Sequence, residues 1–212
     1  MNRLRTLACV VAVGAAGTLP AAALPSQAAV TTASTTTVAA SSNLHALDAS
    51  KLRYVRRCWG YVGYPNAGCE VSAAVPKIWK MTRLSTYHAR FDDRSRTWMV
   101  RINGGLGGKQ SSSTAALSKQ RSLRGVPGLR IVSRVTSTEV YAPGPNPSTT
   151  VKVTTLTYTY RSYRGTRWVA TRYVELWGPR AYVEITVAGR QKDQAGLKTV
   201  LAKATRTIAL AG

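Results

Sequence analysis

Four stretches, 129–141, 151–160, 167–177 and 181–188, alternate polar and apolar residues, and between them lie Pro143-Gly144-Pro145-Asn146-Pro147, Tyr163-Arg164-Gly165 and Gly178-Pro179-Arg180. Period-two alternation puts every second side chain on one face of a strand. With turn-forming clusters at those three places, the stretches predict a four-strand antiparallel meander. In the last stretch Ala181, Val183, Ile185 and Val187 make one wholly apolar row against Tyr182, Glu184 and Thr186. Such a face has to be covered by another layer. The closing segment supplies the cover: Leu197, Val200, Leu201, Ala204 and Ile208 recur at helical spacing while Lys198, Lys203 and Arg206 fall opposite.

Upstream, residues 70–75 read as a short strand ended by Pro76, and 87–92 with 97–102 as a hairpin turning at Asp93-Arg94-Ser95. Residues 111–124 carry Ala115, Ala116, Leu117, Gln120 and Leu123 among good helix formers and stop at Gly125 before Pro127. The expected fold class is α+β, an antiparallel sheet covered by helices, here preceded by a disulfide-closed loop.

The N-terminus reads as an export leader. Arg3 and Arg5 precede an apolar run over 6–23, and Ser26-Gln27-Ala28 offers small residues for cleavage before Ala29. Cys9 opens that run rather than following it, so a lipid anchor is not expected. The expected organisation is a signal peptide over 1–28, a Thr/Ser/Ala-rich tether over 29–46, a basic segment with a cysteine loop over 47–69, and the main domain over 70–212. Cleavage leaves Cys58 and Cys69, an even pair in an exported chain, expected to form one disulfide stabilising the fold by roughly 3 kcal/mol on the chain-entropy model.

Several core residues follow one another in a recognisable order. Val75-Pro76 precedes Trp79; a hairpin carries Phe91-Asp92 and Trp98; a helix follows; Leu156-Thr157-Tyr158-Thr159-Tyr160 lies in a long strand; Arg180-Ala181-Tyr182 opens the next; and a helix closes the chain. This order resembles the PsbP-like α/β/α sandwich, and more closely the version in secreted actinobacterial proteins, the LpqN-type lipoproteins and the extracellular domains of bacterial Ser/Thr kinases. The resemblance covers residues 69–210. It implies a non-enzymatic domain that binds or senses at the cell envelope, and its motifs are core patterns that carry no catalytic residues.

Charge narrows the partners. Lys and Arg number 30 against 8 Asp and Glu, a formal charge of +22, and loss of Arg3 and Arg5 with the leader leaves 28 against 8, or +20. A partner found by long-range attraction is therefore anionic. With 2 His and 8 carboxylates the chain has a thin stock of ligands and proton carriers, and no catalytic, cofactor or metal site is expected.

Three weak signals fall to simpler readings. Gly104-Gly105-Leu106-Gly107-Gly108-Lys109 is followed by Gln110, not the Ser or Thr of a phosphate loop, and reads as a strand-to-helix connection. His45 and His88 have nothing to bring them to one phosphate, as a nuclease would need. Ser111, Ser112 and Ser113 lack the context of a hydrolase nucleophile. The basic groups are more informative: Arg53, Arg56 and Arg57 cluster beside the cysteine loop, while Arg161, Arg164, Arg167 and Arg172 interleave with Tyr160, Tyr163, Trp168 and Tyr173. Arginine favours forked recognition of phosphate or carboxylate. These seven residues are the expected anion-binding surface. The expected partner is an anionic envelope polymer or an acidic protein. The rival readings are an extracellular nucleic-acid binder or nuclease, and a structural or inhibitory partner of a secreted enzyme.

Overall fold

The computed structural model describes residues 45–60, 69–144 and 148–211. The leader and nearly all of the tether lie outside the described residues, as do Tyr61, Tyr64 and the rest of residues 61–68 in the cysteine loop. The described elements run β1 (Tyr54–Trp59), β2 (Val71–Pro76), β3 (Lys80–Arg83), β4 (His88–Asp92), β5 (Met99–Asn103), α1 (Ser112–Ser122), β6 (Arg130–Tyr141), β7 (Thr149–Ser162), β8 (Gly165–Glu175), β9 (Val183–Arg190), α2 (Gln194–Thr207) and β10 (Ala209–Leu210). They form two antiparallel sheets, one of seven strands in the order β3-β4-β5-β9-β8-β7-β6 and one of three in the order β1-β2-β10. The expected meander is β6 to β9, and the expected hairpin, β4 and β5, joins it through β9.

Alternation assigns the two faces of the large sheet. Val100 and Ile102 of β5, Trp168, Ala170 and Val174 of β8, and Val183, Ile185 and Val187 of β9 are buried in one core with Leu197, Val200, Leu201 and Ala204 of α2. That is the cover the apolar row demanded. The small sheet shares this side, since Val71, Ala73 and Val75 enter the same core and Trp59 meets Phe91 edge-on with ring centroids 5.5 Å apart. On the opposite side, Ala115 and Ala116 of α1 pack with Leu156, Tyr158, Val169, Tyr173 and Ala188.

The last strand starts two residues later than its pattern indicated. Ala181 belongs to the α1-side core rather than to the row of Val183, Ile185 and Val187. The chain is still completing its turn there: the Ala181 amide donates to the Gln110 carbonyl at 2.8 Å and Tyr182 to Val174 at 3.0 Å.

Strands β1, β3 and β10 were not indicated by the alternation. β1 lies in the segment read as a charged cluster, and it pairs with β2 from Tyr54–Pro76 to Trp59–Val71. Cys58 and Cys69 form the expected disulfide, with Cα atoms 5.5 Å apart. The chain just before β1 is also built in. Leu47 is buried, its amide donates to Asp193 at 3.0 Å, and a Cβ at Gly196 would sit 2.3 Å from the Leu47 carbonyl oxygen. Glycine at 196 is what lets this segment lie against α2.

Helix α1 is fixed at its start by a carboxylate. The buried Glu175 accepts from the Ser112 amide at 2.9 Å and the Ser112 hydroxyl at 2.8 Å, while Ser111 caps the helix by accepting from the Thr114 amide. A negative group at the exposed amides of a helix N-terminus is favourable. The helix packs on β7 and β8 and leaves the rest of that face to other groups.

Candidate functional site: an open, cation-rimmed sheet face

Because α1 packs on β7 and β8 and its core takes in Ala188 of β9, the open part of this side runs over β3, β4, β5 and the start of β9. Register gives its floor: Thr82 faces Arg90, Arg90 faces Arg101, and Arg101 faces Thr186; in the next rows Lys80, Asp92 and Met99 align, as do His88, Asn103 and Glu184. Every second residue of β4 points the other way, with Ala89 and Phe91 fully buried. The sequence feature behind this face is a hairpin whose outward parity is charged on both arms.

The floor's carboxylates are already engaged. Arg90 holds Asp92 through Nε at 2.9 Å and Nη2 at 2.7 Å, and Arg101 Nη2 holds Glu184 at 2.9 Å. Glu184 also accepts from the Thr186 hydroxyl at 3.2 Å, and Thr186 is hydrogen-bonded to Thr171 at 3.0 Å. Burial, reinforced by the negative charge of Glu184 and a hydrogen bond to it, pushes the Tyr173 hydroxyl far above its ordinary pKa. Burial and then the positive charge of Arg101 push the His88 imidazole below its ordinary value, and His88 Nε2 is buried without a hydrogen-bond partner among the described residues. Asp93 serves its own turn, accepting from the Ser95 amide at 3.0 Å and the Trp98 amide at 2.6 Å.

Two grooves flank this floor. One of about 620 Å³ lies over β3 and β4, between Lys80, Thr82, Arg90 and the turn residues Arg94 and Arg96. The other, of about 340 Å³, runs between α1 and the loop before it, with Tyr173 and Glu184 beneath and Lys109, Gln110, Ser118 and Lys119 at its sides. That loop is the glycine-rich segment. Gly108 has φ +61°, and a Cβ there would stand 2.6 Å from the Tyr182 ring, so its glycine serves backbone shape and close packing. Lys80, Arg94, Arg96, Lys109 and Lys119 have no carboxylate partner within ion-pair distance among the described residues.

The seven expected arginines do not form one surface. Arg164 Nη1 donates to the Ser95 carbonyl at 3.2 Å with its guanidinium over the Tyr163 ring at 5.2 Å, and Arg167 Nη1 donates to the Thr97 carbonyl at 3.3 Å. These contacts set the β7–β8 hairpin tip against the turn that carries Arg94 and Arg96, and the exposed Arg161 lies on the same hairpin. Arg172 is different. Its side chain is 11% exposed, with Nη2 3.0 Å from Glu139, Nε donating to Thr155 at 3.0 Å and Nη1 to Thr205 at 3.3 Å. Five positions along one strand separate it from Arg167, which puts the two on opposite faces.

Arg56 and Arg57 diverge for the same reason. Arg56 donates to Ser72 at 2.8 Å and to the Pro143 carbonyl, whereas Arg57 donates to the Lys77 carbonyl at 3.2 Å. Arg53 is exposed at the entry to β1. His45 and His88 stay apart too: the His45 carbonyl accepts from Arg190 at the last residue of β9, while His88 aligns with Asn103 and Glu184 near that strand's first. Among the described residues no group of three His, Cys, Asp or Glu is placed to hold a metal ion, and no helix is long and apolar enough to cross a membrane.

No protein-family model and no curated protein matches the chain. Solved structures do. The Ran-binding protein Mog1p of Saccharomyces cerevisiae shares 8% identity at TM-score 0.47, over 75% of this chain and 96% of that one. A cyanobacterial PsbP from Synechocystis shares 10% at 0.43, over 67% and 87%. LpqN, involved in cell envelope biogenesis of Mycobacterium tuberculosis, shares 11% at 0.42, over 76% and 92%. The last two bear the names of the proteins that the core pattern in the sequence resembles. At these identities no residue role passes from them to this chain.

Proposed function

We propose that this chain is an exported, non-enzymatic binding domain that holds an anionic envelope polymer along the open sheet face. One observation carries the reading: the face is rimmed by Lys80, Arg94, Arg96, Lys109 and Lys119, none paired to a carboxylate among the described residues, while the floor's Asp92 and Glu184 are neutralised by Arg90 and Arg101. A floor that has spent its own negative charge, inside a rim that keeps its positive charge, attracts anions. Three strand-to-strand steps separate β3 from β9, about 14 Å at the usual spacing. That span suits an extended chain better than a single small anion. The paired floor and the scarcity of free titratable groups support binding over catalysis.

Isolated cell wall, with and without its phosphate-bearing polymers stripped by acid, tests the reading. The full exported chain is expected to sediment with intact wall and not with stripped wall. Equal sedimentation with both would overturn the polymer reading. Tighter binding to duplex DNA than to a poly(glycerol phosphate) chain of equal charge would favour the nucleic-acid alternative.

A further inference from the structure

The other end of the large sheet carries a second surface, independent of the open face. Strand β6 pairs only with β7, so one whole edge of its 12 residues is without a strand partner among the described residues. Proteins ordinarily blunt such an edge by keeping it short, charged, kinked or interrupted by proline. The opposite edge obeys this: β3 is 4 residues long and carries Lys80 and Arg83. β6 does not. Its register breaks only between Ile131 and Ser133, then runs unbroken from Ser133–Thr157 to Tyr141–Thr149, and it contains no proline. Val132, Val135 and Val140 are 55%, 55% and 49% exposed. β-branched side chains gain from a cross-strand neighbour, which these three lack on the outer side.

The edge also has a groove and a charge. On the α2 side a cavity of about 350 Å³ opens beside Ser133, Val135 and Ser137 over Trp168, Ala170 and Leu201, with Lys198 at its rim. On the other side of the strand stands the exposed Arg134, whose row through Leu156 belongs to the α1 side. The acidic residue of β6, Glu139, is held by Arg172. A second copy of this chain would bring the same cationic edge and another +22 with it, so repulsion works against self-pairing.

We infer that β6 is a docking edge for an extended acidic segment of a partner protein, which adds as an eighth strand. Main-chain hydrogen bonds supply the pairing and alternate side chains the selectivity. Apolar residues of the segment fall on the Val135 side above the groove, and the intervening Asp or Glu residues fall on the Arg134 side.

The probe is a fluorescein-labelled decapeptide of alternating Glu and Val. Its control has the same charge but a proline at every fourth position, which keeps the electrostatics and removes strand pairing. At 0.15 M salt the alternating peptide is expected to bind the full chain at least tenfold more tightly than the control by fluorescence anisotropy, and to slow hydrogen exchange at amides within 130–141. Val135→Asp, at an exposed position the fold does not depend on, should weaken it about tenfold. Combined Lys80→Gln, Arg94→Gln and Arg96→Gln replacements, which disable the open face, should leave it within twofold. Equal binding of the two peptides, or protection confined to residues outside β6, overturns the inference. So does a sedimentation experiment finding a dimer whose β6 amides are protected without peptide, because the occupant is then a second copy.

Discussion

His88 and Arg172 are both polar groups drawn into the sheet, and their surroundings decide different outcomes. The His88 imidazole is held below its ordinary pKa of 6.5, chiefly by burial and then by Arg101. The folded chain therefore binds a proton there less readily than the unfolded chain, and stability tied to neutral His88 is fully present above about pH 6.5 and lost as pH falls below it. Thermal unfolding followed from pH 7.5 to 5 should show a parent midpoint that falls more steeply than that of His88→Asn; parallel curves would mean that His88 titrates as a free imidazole does. Arg172 tests the opposite property. With three hydrogen-bonding partners and little solvent, Arg172→Gln should cost about 1.5–3 kcal/mol in urea unfolding, the range for bonds to charged groups. Arg164→Gln, at an exposed hairpin tip, should stay within about 0.5 kcal/mol. Equal losses would show that the Glu139 pairing contributes nothing beyond a surface contact.

Among the elements, α1 depends most on a single contact. Its hydrophobic face is narrow, with Ala115 and Ala116 the fully buried apolar side chains, and much of its placement rests on Glu175 at its first turn. Glu175→Ala would leave the Ser112 amide and hydroxyl without that acceptor in a buried place, a loss of about 1–3 kcal/mol. Glu175→Gln, which keeps an acceptor but not the charge at the helix N-terminus, should recover part of it. Chemical denaturation of the two variants checks the order; a Gln variant as unstable as the Ala one would locate the effect in the charge alone. How far an element was legible in the sequence follows the same line of contacts. β7, β8, β9 and α2 announce themselves because a face of each is buried against one layer, which forces a period of 2.0 or 3.6. β1 and β3 do not, since Tyr-Val-Arg-Arg-Cys-Trp and Lys-Met-Thr-Arg are held by backbone pairing with β2 and β4 while few of their side chains are buried. β10, at 2 residues, is too short to have a period.

At the scale of the whole molecule, the charge was legible and its arrangement was not. Arg53, Arg56 and Arg57 are neighbours in sequence, but a strand turns successive residues to opposite faces; Lys80, Arg94 and Lys119 are far apart in sequence, but register and the α1 connection set them around one floor. This arrangement separates a general cationic background from a site. If about five polymer charges are neutralised on binding, raising salt fourfold should weaken the affinity of the full chain for a poly(glycerol phosphate) by roughly two to three powers of ten, from slopes of −0.7 to −0.9 per contact. Lys80→Gln, Arg94→Gln and Arg96→Gln together remove three of those contacts and should flatten the logarithmic slope by about 2 to 3. Arg53→Gln, Arg56→Gln and Arg57→Gln remove the same charge from β1 and its entry, where the three side chains diverge, and should lower affinity only through the general field. Isothermal titration at four salt concentrations distinguishes the two sets. Identical slopes for both would mean that the polymer follows net charge alone and that the open face is not where it lies.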